Sequence, residues 1–155
     1  IYFILINNDK KILPTLKSRC INFNISLSNN LSNQICNKLL SSDIKHLINE
    51  ELLDYYFTPG KIFNLIKFSD ENSIDLKNIK LEDFISLIID NFYYKKDNSI
   101  KYILYDFFEF FLLKKTLFKN TNLYSYFIKK IEMVKKFNLD EEALFIEFKY
   151  KVLNG

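Results

Sequence analysis

Of the 22 basic side chains in this 155-residue sequence, one is an arginine, Arg19, and the others are lysines. Ile and Asn are abundant and Ala occurs once, at Ala143. This is the composition of an AT-rich genome, which favours AAA and AAT codons, so lysine richness carries little functional information. An arginine kept against that bias carries more. Its planar fork can grip a phosphate or carboxylate bidentately, which an ammonium cannot do. Arg19 sits in Ser18-Arg19-Cys20, directly after Ile12-Leu13-Pro14-Thr15-Leu16-Lys17.

The other residue types with chemical potential are sparse. Cys20 and Cys36 form no CxxC, and His46 is the single histidine. A zinc site needs about four ligands, so no metal site is expected from Cys and His alone. Both cysteines read as structural thiols, in keeping with a reducing cytosol. The only glycines are Gly60 and Gly155, which excludes a glycine-rich phosphate loop. No nucleophile elbow or spaced Ser/His/Asp triad is visible. The carboxylate pairs Glu50–Glu51 and Glu82–Asp83 read as helix starts or solvated faces. The Phe and Tyr crowd between residues 102 and 111 reads as core, not as a platform for stacked bases.

The elements that would position Arg19 follow from composition and periodicity. Hydrophobic residues make up 48% and aromatic residues 17% of the chain, enough for a real core. With 2 Gly and 2 Pro, a turn-rich β-sandwich or barrel is disfavoured and long helices are favoured. The net charge of +3 sits entirely in residues 1–26, where Lys10, Lys11, Lys17 and Arg19 face Asp9. The 18 lysines and 18 acids of residues 27–155 cancel, so no basic stripe for nucleic acid runs along the body. The most apolar run, Tyr102 to Leu113, is broken by Asp106 and Glu109 and is too short to span a bilayer. No signal peptide is expected, since no basic n-region leads into an apolar core. The sequence opens on Ile1 inside an apolar run without an initiator Met, which suggests a piece of a longer chain.

Ile1 to Ile6 reads as a buried strand closed by Asn7–Asn8. Pro14 begins a helical turn, and Ile21, Phe23 and Ile25 alternate with polar residues like a second strand. From residue 27 the period becomes helical. Leu31, Ile35 and Leu39 mark one helix. Ile44, Leu47, Ile48, Leu52 and Tyr55 mark a second. Thr58–Pro59, a cap followed by proline at the first helical position, opens a third, carrying Ile62, Leu65 and Ile66. Ser69 to Lys80 reads as a polar linker. A second helical unit then carries Leu81, Phe84, Ile85, Ile88, Ile89 and Phe92. Its next helix, with Ile100, Ile103, Leu104, Phe107, Phe108 and Phe111, is apolar nearly all round and belongs at a bundle centre. Leu123, Phe127, Ile131 and Val134 mark another, and Asn138-x-x-Glu141 reads as a capping box for the last. The expected fold is mainly α: two helical units preceded by one or two short strands.

The stretch from Ile1 to Ile25 resembles the AAA+ sliding-clamp loader subunits. In that family a strand ending in an Asn pair or Thr–Asn runs into a turn of the form L-P-T-I/L-x-S-R-C. Leu13-Pro14-Thr15-Leu16-Lys17-Ser18-Arg19-Cys20 matches it. Thr58-Pro59-Gly60-Lys61 is similar to the Ser-Pro-Gly-Arg of the delta-prime type, although Lys61 and Ile62–Phe63 depart from that pattern. The remainder is matched only by helical pattern and length. The resemblance implies that residues 1–26 end an AAA+ core, residues 27–70 form its three-helix lid, and residues 74–155 form the helical collar that assembles a hetero-pentameric ring.

It further implies that Arg19 is an arginine finger acting in trans at a neighbour's ATP. Ser18 would brace the loop, Cys20 would start a strand as a small buried residue, and Asn7 or Asn8 would occupy the sensor-1 position. No cofactor is expected on this chain, and no ATPase activity is expected of it alone. Contact with the sliding clamp and primer-template DNA comes through the complex, in a bacterial cytoplasm, with no membrane partner. An uncovered apolar strip on the Tyr102–Leu113 helix would invite self-association of the isolated chain. Two alternatives stay open: a piece of an ATP-hydrolysing subunit of the gamma/tau type, and a helical interaction module unrelated to replication.

Overall fold

The computed structural model describes residues 13–21, 23, 27–55, 57–116 and 121–154. The chain is mainly helical, with ten α-helices among these residues. They are α1 (Pro14–Lys17), α2 (Asn29–Leu40), α3 (Ile44–Leu47), α4 (Glu50–Leu53), α5 (Pro59–Asn72), α6 (Leu81–Asp90), α7 (Tyr93–Lys96), α8 (Asn98–Phe111), α9 (Thr121–Phe137) and α10 (Glu141–Phe148). Two of them widen at their ends into π-helical turns, α8 through Leu112–Thr116 and α10 through Lys149–Leu153.

No strand occurs among the described residues. The expected first strand, Ile1 to Ile6, lies outside them. Within the expected second strand, Ile21 and Phe23 are 84% and 82% exposed and outside regular structure. Alternation alone does not make a strand; a paired neighbour does.

The helix starts follow the caps. Ser28 accepts a hydrogen bond from the Leu31 amide at 3.3 Å, and Thr58 accepts one from the Lys61 amide at 3.4 Å, with Pro59 at the first helical position as expected. The face that α2 buries differs from the leucine stripe. Ser32 and Cys36 are fully buried, while Leu31 and Leu39 are 45% and 64% exposed. Ser32 Oγ donates to the Phe57 carbonyl at 2.7 Å, which turns the small side chains inward against the α5 side. A buried hydroxyl needs that partner more than a leucine needs burial.

The single helix expected over 44–55 is two short ones. Ile48 is extended (φ −127°, ψ 139°), and Asn49 caps α4 by accepting from the Glu51 amide at 3.0 Å. Asn49 also donates its own amide to the Leu76 carbonyl at 2.8 Å. The polar stretch 69–80 is therefore no free linker. α5 runs through Asn72, Leu76 is buried, and Asp75 folds the turn by accepting from the amides of Lys77 and Asn78 at 3.0 and 3.3 Å.

The buried residues from Cys36 to Phe148 form one cluster. α8 lies at its centre, as its breadth of apolar surface implied, and packs against both α5 and α6. Phe107 meets Phe57 edge-on at 5.1 Å and Phe84 at 5.7 Å. Phe108 stacks flat on Phe148 at 3.8 Å. α10 is capped by Asp140, which accepts from the amides of Glu142 and Ala143 at 3.0 and 3.2 Å. Asn138, expected as that cap, instead closes α9 in the left-handed region (φ 52°). Among the described residues no helix is long and apolar enough to cross a membrane.

Candidate functional site: an exposed Ser-Arg-Cys turn

α1 is a single turn held by its own backbone. Pro14 fixes the entry, and the Ser18 amide returns to the Pro14 carbonyl at 3.0 Å. Ser18 Oγ donates to the Thr15 carbonyl at 3.1 Å, and the Arg19 amide donates to the Leu16 carbonyl at 3.0 Å. Residues 18–20 thus leave the helix as a tight turn with Arg19 exposed at its apex. The guanidinium has no hydrogen-bond or ion-pair partner among the described residues. Cys20 is exposed, contrary to the expectation of a small buried residue opening a strand. No described element covers that side, and Leu13 and Leu16 are also exposed, at 66% and 44%. Asn7 and Asn8, the expected sensor-1 pair, lie outside the described residues.

The remaining candidates are scattered. Cys36 is buried, and burial pushes its thiol up. His46 is exposed on α3. No group of three His, Cys, Asp or Glu side chains is placed to hold a metal ion among the described residues. Lys61, which stands where the delta-prime pattern has Arg, spans from α5 to Asp106 of α8 in an ion pair. Asp106 and Glu109 lie near Tyr55, whose phenol is pushed up to about 12, mainly by burial and then by these two charges. Tyr94 is likewise pushed up to about 12 by burial and then by Glu142, Asp140 and Glu141. Its hydroxyl is buried without a hydrogen-bond partner among the described residues. Tyr105, raised by burial and Glu141, donates to Glu141 at 3.1 Å. These phenols stay protonated at neutral pH and offer no base.

Sequence reading missed how the charges pair. Lysines staple one helix to another: Lys135 of α9 to Glu109 of α8 at 2.7 Å, Lys101 of α8 to Glu141 of α10 at 3.1 Å, and Lys95 of α7 to Glu142 at 2.6 Å. Glu147 of α10 takes Lys130, Lys151 at 2.7 Å and the Tyr126 hydroxyl at 2.8 Å. Its carboxyl is pushed down to about 2, chiefly by the bond from Lys130 and then by that from Lys151. No local spacing announces these partners, except the i,i+4 pair Glu147–Lys151. Two open depressions flank α9, one lined by Met133, Val134, Leu139 and Ala143, the other by Leu113, Phe110, Tyr124 and Glu132.

Comparisons of the chain with protein-family models, with curated proteins and with solved structures found no match.

Proposed function

We propose that this chain is a piece of a sliding-clamp loader subunit, of the kind represented by the delta-prime subunit of bacterial DNA polymerase III. In this role it assembles with other loader subunits and donates Arg19 in trans to the ATP held by a neighbour. The Ser18-Arg19-Cys20 turn carries the reading: a lone arginine in the family's motif, exposed and uncommitted to any acid among the described residues. An arginine finger must be free in the isolated subunit to engage a phosphate on its partner. Its fork then meets the charge that develops on the transferring phosphoryl group. On this reading residues 27–70 are the lid and residues 74–155 the collar, held together by contacts such as Phe57–Phe107. The mainly helical fold is in keeping with the lid and collar of such a subunit.

The test is ATP hydrolysis by the full-length protein reconstituted with its partner subunits, clamp and primed DNA. Arg19→Ala and Arg19→Lys should both lower turnover at the affected site by roughly 10²–10⁴, the equivalent of about 3–5 kcal/mol. Lys keeps the charge but loses the fork, so it should rescue little. Total turnover falls less, because the ring's other sites use other fingers. The melting temperature of the isolated chain should not move, since Arg19 is exposed. Unchanged turnover with Arg19→Ala would exclude the finger. An intact phosphate loop encoded upstream of Ile1 would shift the assignment to a gamma/tau-type ATPase subunit.

A further inference from the structure

The depression between the end of α8 and the start of α9 has a volume of about 310 Å³, at the lower end of the range of small-ligand sites. Three rings line it. Tyr55 and Phe110 meet edge-on at 5.5 Å and form one wall. Tyr124 lines it from α9 and touches neither of those rings, so the space lies between them. Leu113 adds an apolar edge from the π-helical turn that widens α8, a local distortion that recurs at functional sites. Glu109 and Glu132 are the charged members of the lining. Aromatic rings present negative faces, and a carboxylate beside them adds to the same sign. Such a lining suits a cation with an apolar body. The fold already seats one cation on this wall: the Lys114 ammonium stands 5.5 Å from the centre of the Phe110 ring, without itself lining the cavity.

The surrounding charges leave one carboxylate over. Lys135 bonds Glu109 at 2.7 Å and lies over the Tyr105 ring, Lys114 bonds Asp54 at 2.8 Å, and Lys61 pairs with Asp106. Glu132 has no hydrogen-bond or ion-pair partner among the described residues. The two lysines one turn from it on α9 are engaged elsewhere. Lys129 lines the other depression, and Lys136 lies over the Phe137 ring at 5.1 Å. The Tyr124 hydroxyl is also without a partner among the described residues, which leaves a second acceptor in the same lining. We propose that this cavity binds a small organic cation, an ammonium or guanidinium group on an apolar stem or clothed in alkyl groups, with its charge against Glu132 and its body between Tyr124 and the Tyr55–Phe110 pair. A free alkylated amine and a lysine or arginine side chain of another protein share this chemistry, and the test separates them. The proposal rests on the cavity alone and does not require the clamp-loader reading.

The experiment is an NMR titration of the whole chain with isotope-labelled tyrosine rings and methionine methyls. The Tyr124 signal is identified by its loss in Tyr124→Phe. The probes are choline, its neutral carbon isostere 3,3-dimethylbutanol, and lysine and arginine blocked at both ends as amides. A cation should shift the Tyr124 signal saturably, and the neutral isostere should bind about 3- to 10-fold more weakly than choline. A stronger response to the blocked amino acids than to choline assigns the ligand to a protein side chain; the reverse assigns it to a free alkylated amine. Glu132→Gln should weaken the cations about 2- to 5-fold and leave the alcohol unchanged. Glu132 is exposed and unpaired among the described residues, so the circular dichroism of this variant should match the wild type. The methyl of Met133, the sole methionine, lines the other depression and should stay still throughout. No saturable shift at Tyr124 with any cation, equal binding of choline and the alcohol, or unchanged affinity in Glu132→Gln would overturn the proposal. A Met133 shift in step with that of Tyr124 would do the same, since it would mean that the cations coat the surface at large.

Discussion

Glu147 gathers two lysines and a tyrosine on one carboxylate and so ties α9 to α10 and to the end of the chain. Its pKa lies well below the ordinary value, so it contributes stability that is complete above about pH 4.5 and is lost as the pH falls towards about 2. Partial exposure of the cluster limits the contribution to about 1–2 kcal/mol. Glu147→Gln should therefore cost about that much at pH 7, and the difference from the wild type should vanish near pH 2. Urea denaturation at several pH values measures it; a gap that does not close on acidification would mean the carboxylate is not what holds the lysines. At Arg19 the logic is the reverse. The residue is exposed and has no partner among the described residues, so removing it should leave folding alone, and on the proposed reading the effect falls on a neighbour's ATP site.

With so few glycines, this chain ends several elements in an unusual way. Ser41, Ser73, Phe92 and Asn138 all take positive φ between 52° and 55°. Glycine would fill these sites at less steric cost, since a side chain in the left-handed region costs about 1–2 kcal/mol. Ser73 closes α5, is exposed, and uses its backbone amide rather than its side chain there. Ser73→Gly should stabilise the protein by about 0.5–1 kcal/mol, the strain relieved less the extra freedom of glycine when unfolded. A thermal melt would register a rise of several degrees; a fall would show that the serine is needed for a reason beyond conformation. The opposite sign is expected at α10. Asp140→Ala removes the acceptor for two amides and should cost about 1 kcal/mol. Asn138→Ala should cost too, through the end of α9, but without loosening the start of α10.

The whole molecule depends on a shared aromatic core. Phe107 is fully buried and touches rings from both halves of the chain, Phe57 on one side and Phe84 on the other. Phe107→Ala should cost about 3–5 kcal/mol, a large share of the stability of a domain this size. Because the buried cluster runs without a break from Cys36 to Phe148, the loss should appear in one unfolding transition. Two transitions, with helices α6 to α10 surviving the first, would mean that the halves fold separately. The helix expected to carry the exposed strip, Tyr102 to Leu113, buries most of its rings inside the molecule. Tyr102 and Leu113 alone remain broadly exposed on it, while the longer apolar strip lies on α9 and α10.

The sequence by itself determined the helical class, the positions of most helices and the central place of α8. Those depend on residues within a few positions of one another: the 3.6-residue period, Thr58–Pro59, and the scarcity of glycine and proline. The Ser18-Arg19-Cys20 motif was equally legible, since it is contiguous. What only the tertiary structure decided depends on residues far apart. Ser32 reaching Phe57 rotated α2 away from its leucine stripe, and Asn49 reaching Leu76 broke the helix at Ile48 and pinned the supposed linker. Asn138, expected to cap α10, closes α9 instead, and Asp140 caps α10. The pairing of each lysine with an acid on another helix, and the groove left at Met133, likewise follow from how the helices are set against one another. A local pattern says that a helix forms and roughly which side is greasy; the rotation about its axis is settled by the partners it must satisfy.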